Sequence, residues 1–203
     1  MTAYLTFDVL EIEPNSRDQS PDGFTRSFVR LDPGLGEVSV DDQGGTPIMS
    51  HSFSWFLDGR TNIDAFRTFI AARRGKAVPF WLPSWRQDLV LNTDLLSSDT
   101  VFLINFTGYT KFLFQSNARR YVVFLMPNGT KIYRKITAAL DMLDGTERIT
   151  IDSSPGVAVT ASTTMVSFLQ FCRLDSDAVS LEWSTQNFAE ATLTIVEIPR
   201  ETP

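Results

Sequence analysis

Alternation of apolar and polar positions dominates the chain. Residues 4–12 set Tyr4, Thr6 and Asp8 against Leu5, Phe7 and Val9, the period of two of a half-buried strand. Strand character resumes at 24–31 and at 49–57, where Phe53 and Trp55 share one face. Between these runs, 14–23 is polar and turn-rich and reads as a loop or an arm that orders on assembly. Asp32-Pro33-Gly34 and residues 42–47 carry turn signals. The period then changes to 3.6. Ile63, Phe66, Phe69 and Ile70 form one apolar stripe, which predicts a helix over about 62–74. Thr61 or Asn62 suits its N-cap, and Arg73 and Arg74 suit the negative end of its dipole. Gly75 suits the left-handed position that stops it.

Residues 77–82 read as a strand bearing Pro79 and stopped by Pro83, hence at an edge, bulge or corner. Residues 87–91 alternate again. The stretches 101–106, 111–114, 121–126, 131–137 and 148–151 are short strands, with turns at Pro127-Asn128-Gly129 and Asp144-Gly145. Such spacing suggests a small barrel or sandwich. Residues 153–164 read as a connector, and 166–174, 178–183 and 191–198 as closing strands. No fixed-period repeat is present.

Composition narrows the chemistry. With 203 residues, 43% of them hydrophobic and 21% charged, the chain has enough apolar surface for a packed core. Its 16 phenylalanines, beside 4 Tyr and 4 Trp, suit sheet cores and subunit contacts. A net charge of -6 lacks the basic footprint of a nucleic-acid binder. One cysteine rules out an intrachain disulfide and a cysteine metal cluster. Cys172 lies in an apolar strand and reads as a small buried hydrophobe. His51, between Ser50 and Ser52, reads as structural or surface; a nucleophilic Cys172 would have only this histidine for a base. Asp41-Asp42, and Asp175 with Asp177, offer oxygen ligands without the spacing of a calcium loop, and read as solvated turns. Nothing selects a glycosidase pair from the 24 acids, and no phosphate-loop, dinucleotide or serine-hydrolase motif occurs. No catalytic residue, cofactor or metal is therefore assigned, and the expectation is a protein that is not an enzyme. Residues 1–13 lack the charged start and apolar run of a signal peptide, and no stretch approaches the roughly 18 apolar residues of a membrane span. Synthesis in the cytoplasm is expected.

Residues 66–91 read FRTFIAARRGKAVPFWLPSWRQDLVL. A helix ending in Arg-Gly, followed by an apolar strand ending Phe-Trp-x-Pro, resembles the distal tail and minor tail-tip proteins of long-tailed (siphovirus-type) phages. Residues 177–197, with a hydrophobic-Glu-Trp strand ending at Trp183, resemble the family's closing hairpin. The likeness covers about residues 1–95 and 165–203. It implies a homo-oligomeric ring, usually hexameric, at the far end of the tail tube. Such a ring joins the tube protein to the tip or baseplate hub proteins and keeps a channel open for DNA. Acids lining that channel would repel passing phosphates.

The reading is thus mainly β. A discontinuous β-sandwich or split-barrel domain is expected from residues 1–95 and 165–203, with an inserted small β-barrel-like unit with its connector over 96–164. Phe80, Trp81 and Trp85 form an aromatic cluster that is either core or a subunit anchor. Arg73 and Arg74 either close the helix or pair with a neighbouring subunit's acids. The alternative function is a carbohydrate-binding β-sandwich module on a virion, since four Trp suit sugar stacking. A cell-wall hydrolase ranks last.

Overall fold

The computed structural model describes residues 2–15, 23–25, 28–32, 34, 38–42, 48–201 and 203; of the expected loops, residues 16–22, Pro33 and residues 43–47 lie outside the described residues. In chain order the strands begin with β1 (Ala3–Tyr4), β2 (Phe7–Asp8), β3 (Gly23–Thr25), β4 (Phe28–Leu31), β5 (Ser39–Asp42) and β6 (Ile48–Asp58). Helix α1 (Arg60–Arg73) precedes β7 (Phe80–Pro83) and β8 (Val101–Asn105), and α2 (Tyr109–Phe112) precedes β9 (Tyr121–Leu125), β10 (Lys131–Asp141) and β11 (Thr146–Ile151). The chain closes with β12 (Met165–Leu174), β13 (Glu182–Trp183) and β14 (Phe188–Glu197). The protein is mainly β, with antiparallel ladders and one main helix.

Two compact units form: Met1–Glu11 with Trp81–Gln170, and Ile12–Phe80 with Phe171–Pro203. These boundaries fall at 11/12, 80/81 and 170/171, whereas the sequence pattern draws them at 95/96 and 164/165.

In the second unit β14 pairs with β6 from Phe188↔Asp58 to Val196↔Ser50, and β3 and β13 flank this pair. The period of two sends His51, Trp55 and Leu57 inward and leaves Ser52, Ser54 and Phe56 exposed. Helix α1 covers the inward face: Ile63, Phe66 and Phe69 are buried, and the Phe66 ring lies 5.5 Å from Trp55. The cap expected at Thr61 or Asn62 is instead Gly59, at φ 82, without a side-chain hydrogen bond. Asn62 sits inside the helix and donates to the Asp58 carbonyl at 2.8 Å. The helix stops where expected, but Arg74 already takes the left-handed position (φ 51, ψ 51) and Gly75 follows at φ 64. β4 and β5 pair with each other as a separate ribbon. Of the strand expected over 178–183, only Glu182–Trp183 forms.

In the first unit the ladder runs β8–β11–β10–β9, and residues 165–168 of β12 pair with β9. A register shift between Ile136 and Ala138 bends β10. Between the ends of this ladder the segment 88–92 makes isolated bridges only, Leu89↔Val166 and Leu91↔Ile104. No closed barrel is found among the described residues. Ile104, Val122, Phe124, Ile136, Ile149 and Val166, all fully buried, make the core. The turn at 127–129 is as expected: Gly129 sits at φ 83, and Asn128 accepts the Thr130 N–H at 3.0 Å.

Two expectations fail here for physical reasons. Residues 4–12 are not one strand. The chain folds back at Leu5 and Thr6 (φ 47 and 72), so that Tyr4 faces Phe7. The reversal breaks the phase of the alternation: Tyr4 and Phe7, which a single strand would send to opposite faces, now stand opposite each other on one face. Residues 111–114 are not a strand either: Lys111 and Phe112 complete α2, whose first N–H groups are taken by a distant carboxylate, that of Glu147.

Candidate functional site

The segment that carries the tail-protein likeness is locked to the rest of the chain residue by residue. Arg73 is 3% exposed; its guanidinium lies 4.6 Å over the Phe69 ring and donates to the Pro79 carbonyl at 3.1 Å. It fastens the turn after α1 to the helix, so it is not available to a neighbouring subunit. Arg74 is exposed.

The turn itself is held from the other chain segment of the unit. Asp177 accepts the Lys76 N–H at 2.9 Å, and Asp175 lies 3.8 Å from the Lys76 ammonium. These two acids serve the turn; among the described residues no cluster of three metal-ligating side chains occurs. Arg173 donates to the Lys76 and Ala77 carbonyls and pairs with Glu201 at 2.6 Å. Of the other acidic pair, Asp41 is exposed, and the Asp42 side chain lies outside the described residues.

Phe80, Trp81 and Trp85 do not form one cluster. Phe80 is fully buried and meets Phe69 edge-on at 5.3 Å, in the second unit. Trp81, also fully buried, belongs to the first unit. It packs on Tyr121 at 4.8 Å and Tyr4 at 5.7 Å, and its indole N–H donates to the Tyr4 carbonyl at 2.9 Å. Successive residues of a strand point to opposite sides, so β7 feeds two separate cores. Trp85 alone remains half-exposed, at φ 55, with the Lys131 ammonium 5.5 Å from its ring. The aromatic cluster is therefore core rather than a presented surface, Trp85 excepted.

His51 and Cys172 are both buried and lie on strands that β14 separates. No nucleophile–base pair arises from them.

Two carboxylates escaped the sequence reading. Glu147 has no exposed surface and accepts the N–H groups of Thr107 (3.0 Å), Tyr109 (3.1 Å) and Thr110 (2.7 Å). Burial opposes its charge, but these bonds hold its carboxyl below the usual range. Its signal was legible: an acid in phase with Ile149 and Ile151 on the buried side of a strand. Asp88 accepts from the Ser84 hydroxyl and from the Phe168 N–H at 2.7 Å. Burial pushes its carboxyl up, against these bonds and the nearby Arg119 and Arg86 charges. Asp88 thereby ties the loop after β7 to β12.

The first unit also carries an open cleft of about 500 Å³ lined by Gln87, Val90, Asn92, Ser162, Thr163 and their neighbours, with no ionisable side chain. Among the described residues no helix is long and apolar enough to cross a membrane. No family model matches the chain, and no curated protein matches it.

Proposed function

We propose that this chain is a structural protein of a phage tail tip. It forms a ring, most simply a hexamer, that joins the tail tube to the tip or baseplate hub and leaves a channel for DNA. Its place is the virion, and its partners are further copies of itself, the tube protein and the hub proteins. It works by geometry rather than by chemistry. The observation that carries this reading is the segment 66–91. A helix closed at Arg74-Gly75 leads into a buried strand ending Phe-Trp-Leu-Pro, with the turn between them fixed by Arg73 and Asp177. The helix closed at Arg-Gly and followed by an aromatic-proline strand is the feature on which the resemblance rests.

Native mass spectrometry over a concentration series, with negative-stain images of the same sample, tests the proposal. Closed rings with a central hole are expected. A chain that stays monomeric both alone and beside a purified tail hub overturns it.

A carbohydrate-binding role is the second reading, favoured by the uncharged cleft at Gln87 and Asn92. Trp55 and Trp81 are too buried to stack on sugars, at 1% and 0% exposure, which leaves the half-exposed Trp85 and Trp183 at 45%. Glycan-array binding by the isolated chain would favour this reading over the ring.

A further inference from the structure

The face of the second unit's sheet that α1 does not cover carries an aromatic pair, Phe56 exposed and Phe188 half-buried. The rings of Phe56 and Phe188 lie 5.7 Å apart, and Phe56 is 47% exposed. Register places a carboxylate beside each ring: Glu190 opposite Phe56, and Asp58 opposite Phe188. Glu182 stands opposite Glu190 in turn. Like charges directly across a ladder are destabilising. All three acids are exposed, and among the described residues none of them pairs with a cation. Among the described residues this patch therefore sets apolar surface beside a repulsion that no cation offsets.

The complementary surface is on the same unit, in the other layer. Arg60 and Arg67, seven residues apart with a drift of only about 20°, share one flank of α1, and Arg74 stands at the C-cap, just past its last turn. All three are exposed. Arg60 lies 5.2 Å over the Trp183 ring, while Arg67 and Arg74 pair with no acid among the described residues. Asp64, four residues after Arg60 and three before Arg67, offsets part of this charge, and the three arginines leave the flank and its end locally positive on a chain of net charge -6.

We propose that these two surfaces are the halves of one contact between copies of this chain. The arginine flank of α1 in one copy seats on the Phe56–Phe188 pair and its carboxylates in the next. The inference rests on the ring reading and names the surfaces that build the ring. A guanidinium suits this patch because its plane stacks on an aromatic ring while its fork donates to carboxylates. The two aromatics supply the apolar centre of the contact and the charges supply register. The helix covers one face of the sheet and the acids project from the other, so the contact is heterologous. It propagates head to tail and closes into a ring when the rotation per copy permits.

Two double variants and their mixture test this, read by sedimentation velocity and native mass spectrometry, with near-ultraviolet circular dichroism to verify folding. Wild type is expected to associate, less so as salt rises. R67E/R74E makes both surfaces acidic and E182K/E190K makes both basic, so each should associate at least about tenfold more weakly than wild type. An equimolar mixture should recover association, because each variant's altered surface now fits the other's. Rings that neither variant weakens overturn this contact and leave the tail-tip reading standing. Weakening without recovery on mixing overturns the direct pairing. A wild type that is monomeric alone and with the hub overturns both.

Discussion

Gly75→Ala is the sharpest test of how the signature segment holds together. Gly75 sits at φ 64, where a Cβ costs about 1 kcal/mol. That Cβ would also lie 2.9 Å from the Asp177 Cα and 3.0 Å from its Cγ. Backbone cannot yield as a side-chain tip does, so relieving the overlap costs about 1 kcal/mol more. Moving Asp177 away from the Lys76 N–H, now 2.9 Å from its carboxylate, forfeits about another 1 kcal/mol. The sum is about 3 kcal/mol, read by urea denaturation under circular dichroism. Gly129→Ala is the control: φ is 83 there, but a Cβ meets nothing within 4 Å, so strain alone of about 1 kcal/mol is expected. Asp177→Ala removes the carboxylate part of the overlap, so Gly75→Ala combined with Asp177→Ala should cost less than the two single changes added together. Equal losses at Gly75 and Gly129 would refute the reasoning, because the close approach of Asp177 would then carry no energy.

Replacing Leu5-Thr6 by Asn-Gly should stabilise the chain by roughly 1–2 kcal/mol in a thermal melt, since both positions have positive φ and Leu5 is 44% exposed; a loss would mean the native side chains hold the turn. Glu147→Gln places an amide NH2 against N–H donors and should cost about 2 kcal/mol at neutral pH. Because the folded-state value of Glu147 is depressed, its contribution is present above the unfolded carboxylate's range and is lost as pH falls through the folded value; a gap that persists unchanged in acid would contradict this. Asp88 has the opposite sign. Its raised folded value makes its contribution largest in acid and smaller as pH rises through that value. Asp88→Asn keeps an acceptor for Ser84 and Phe168, so it should be more stable than wild type at neutral pH, with the difference fading in acid. Destabilisation at neutral pH would show that the ionised form is used by Arg119 or Arg86.

Helix α1 was legible because its signal is local: the stripe Ile63, Phe66 and Phe69 is buried as its spacing predicts. Its first residue was not, because Asn62 offers the same side chain whether it caps the helix or bonds back to Asp58 from within it. The hairpin at Leu5 and Thr6 left no trace in the sequence, because neither is one of the residues that turns favour. Lys111-Phe112-Leu113-Phe114 looked like a strand, but the acceptor that fixes α2 stands 37 residues later, in Glu147. The aromatic cluster misled for a related reason. Phe80 and Trp81 are adjacent in sequence, yet alternate sides of β7 deliver them to different cores. The last two failures depend on partners distant in sequence, whereas the first two arise from local choices that the residue types leave open.

Arg74 and Trp85 apart, the residues that make the segment 66–91 recognisable are ones a partner cannot reach. Phe80 and Trp81 are sealed in cores, Arg73 closes a turn against Pro79, and Gly75 makes room for Asp177. Their identity is demanded by packing within one copy, and substitution there acts through folding. The proposed assembly uses what packing leaves over: Phe56 beside the half-buried Phe188, Glu182 facing Glu190, and Arg60, Arg67 and Arg74 along and just past α1. The aromatic and acidic patch forms no motif, because residues 56, 182, 188 and 190 meet only when β6, β13 and β14 pair. Substitutions in the first set should therefore lower stability and carry any assembly defect with it. Charge reversals in the second should leave the unfolding midpoint of the monomer unchanged while abolishing association.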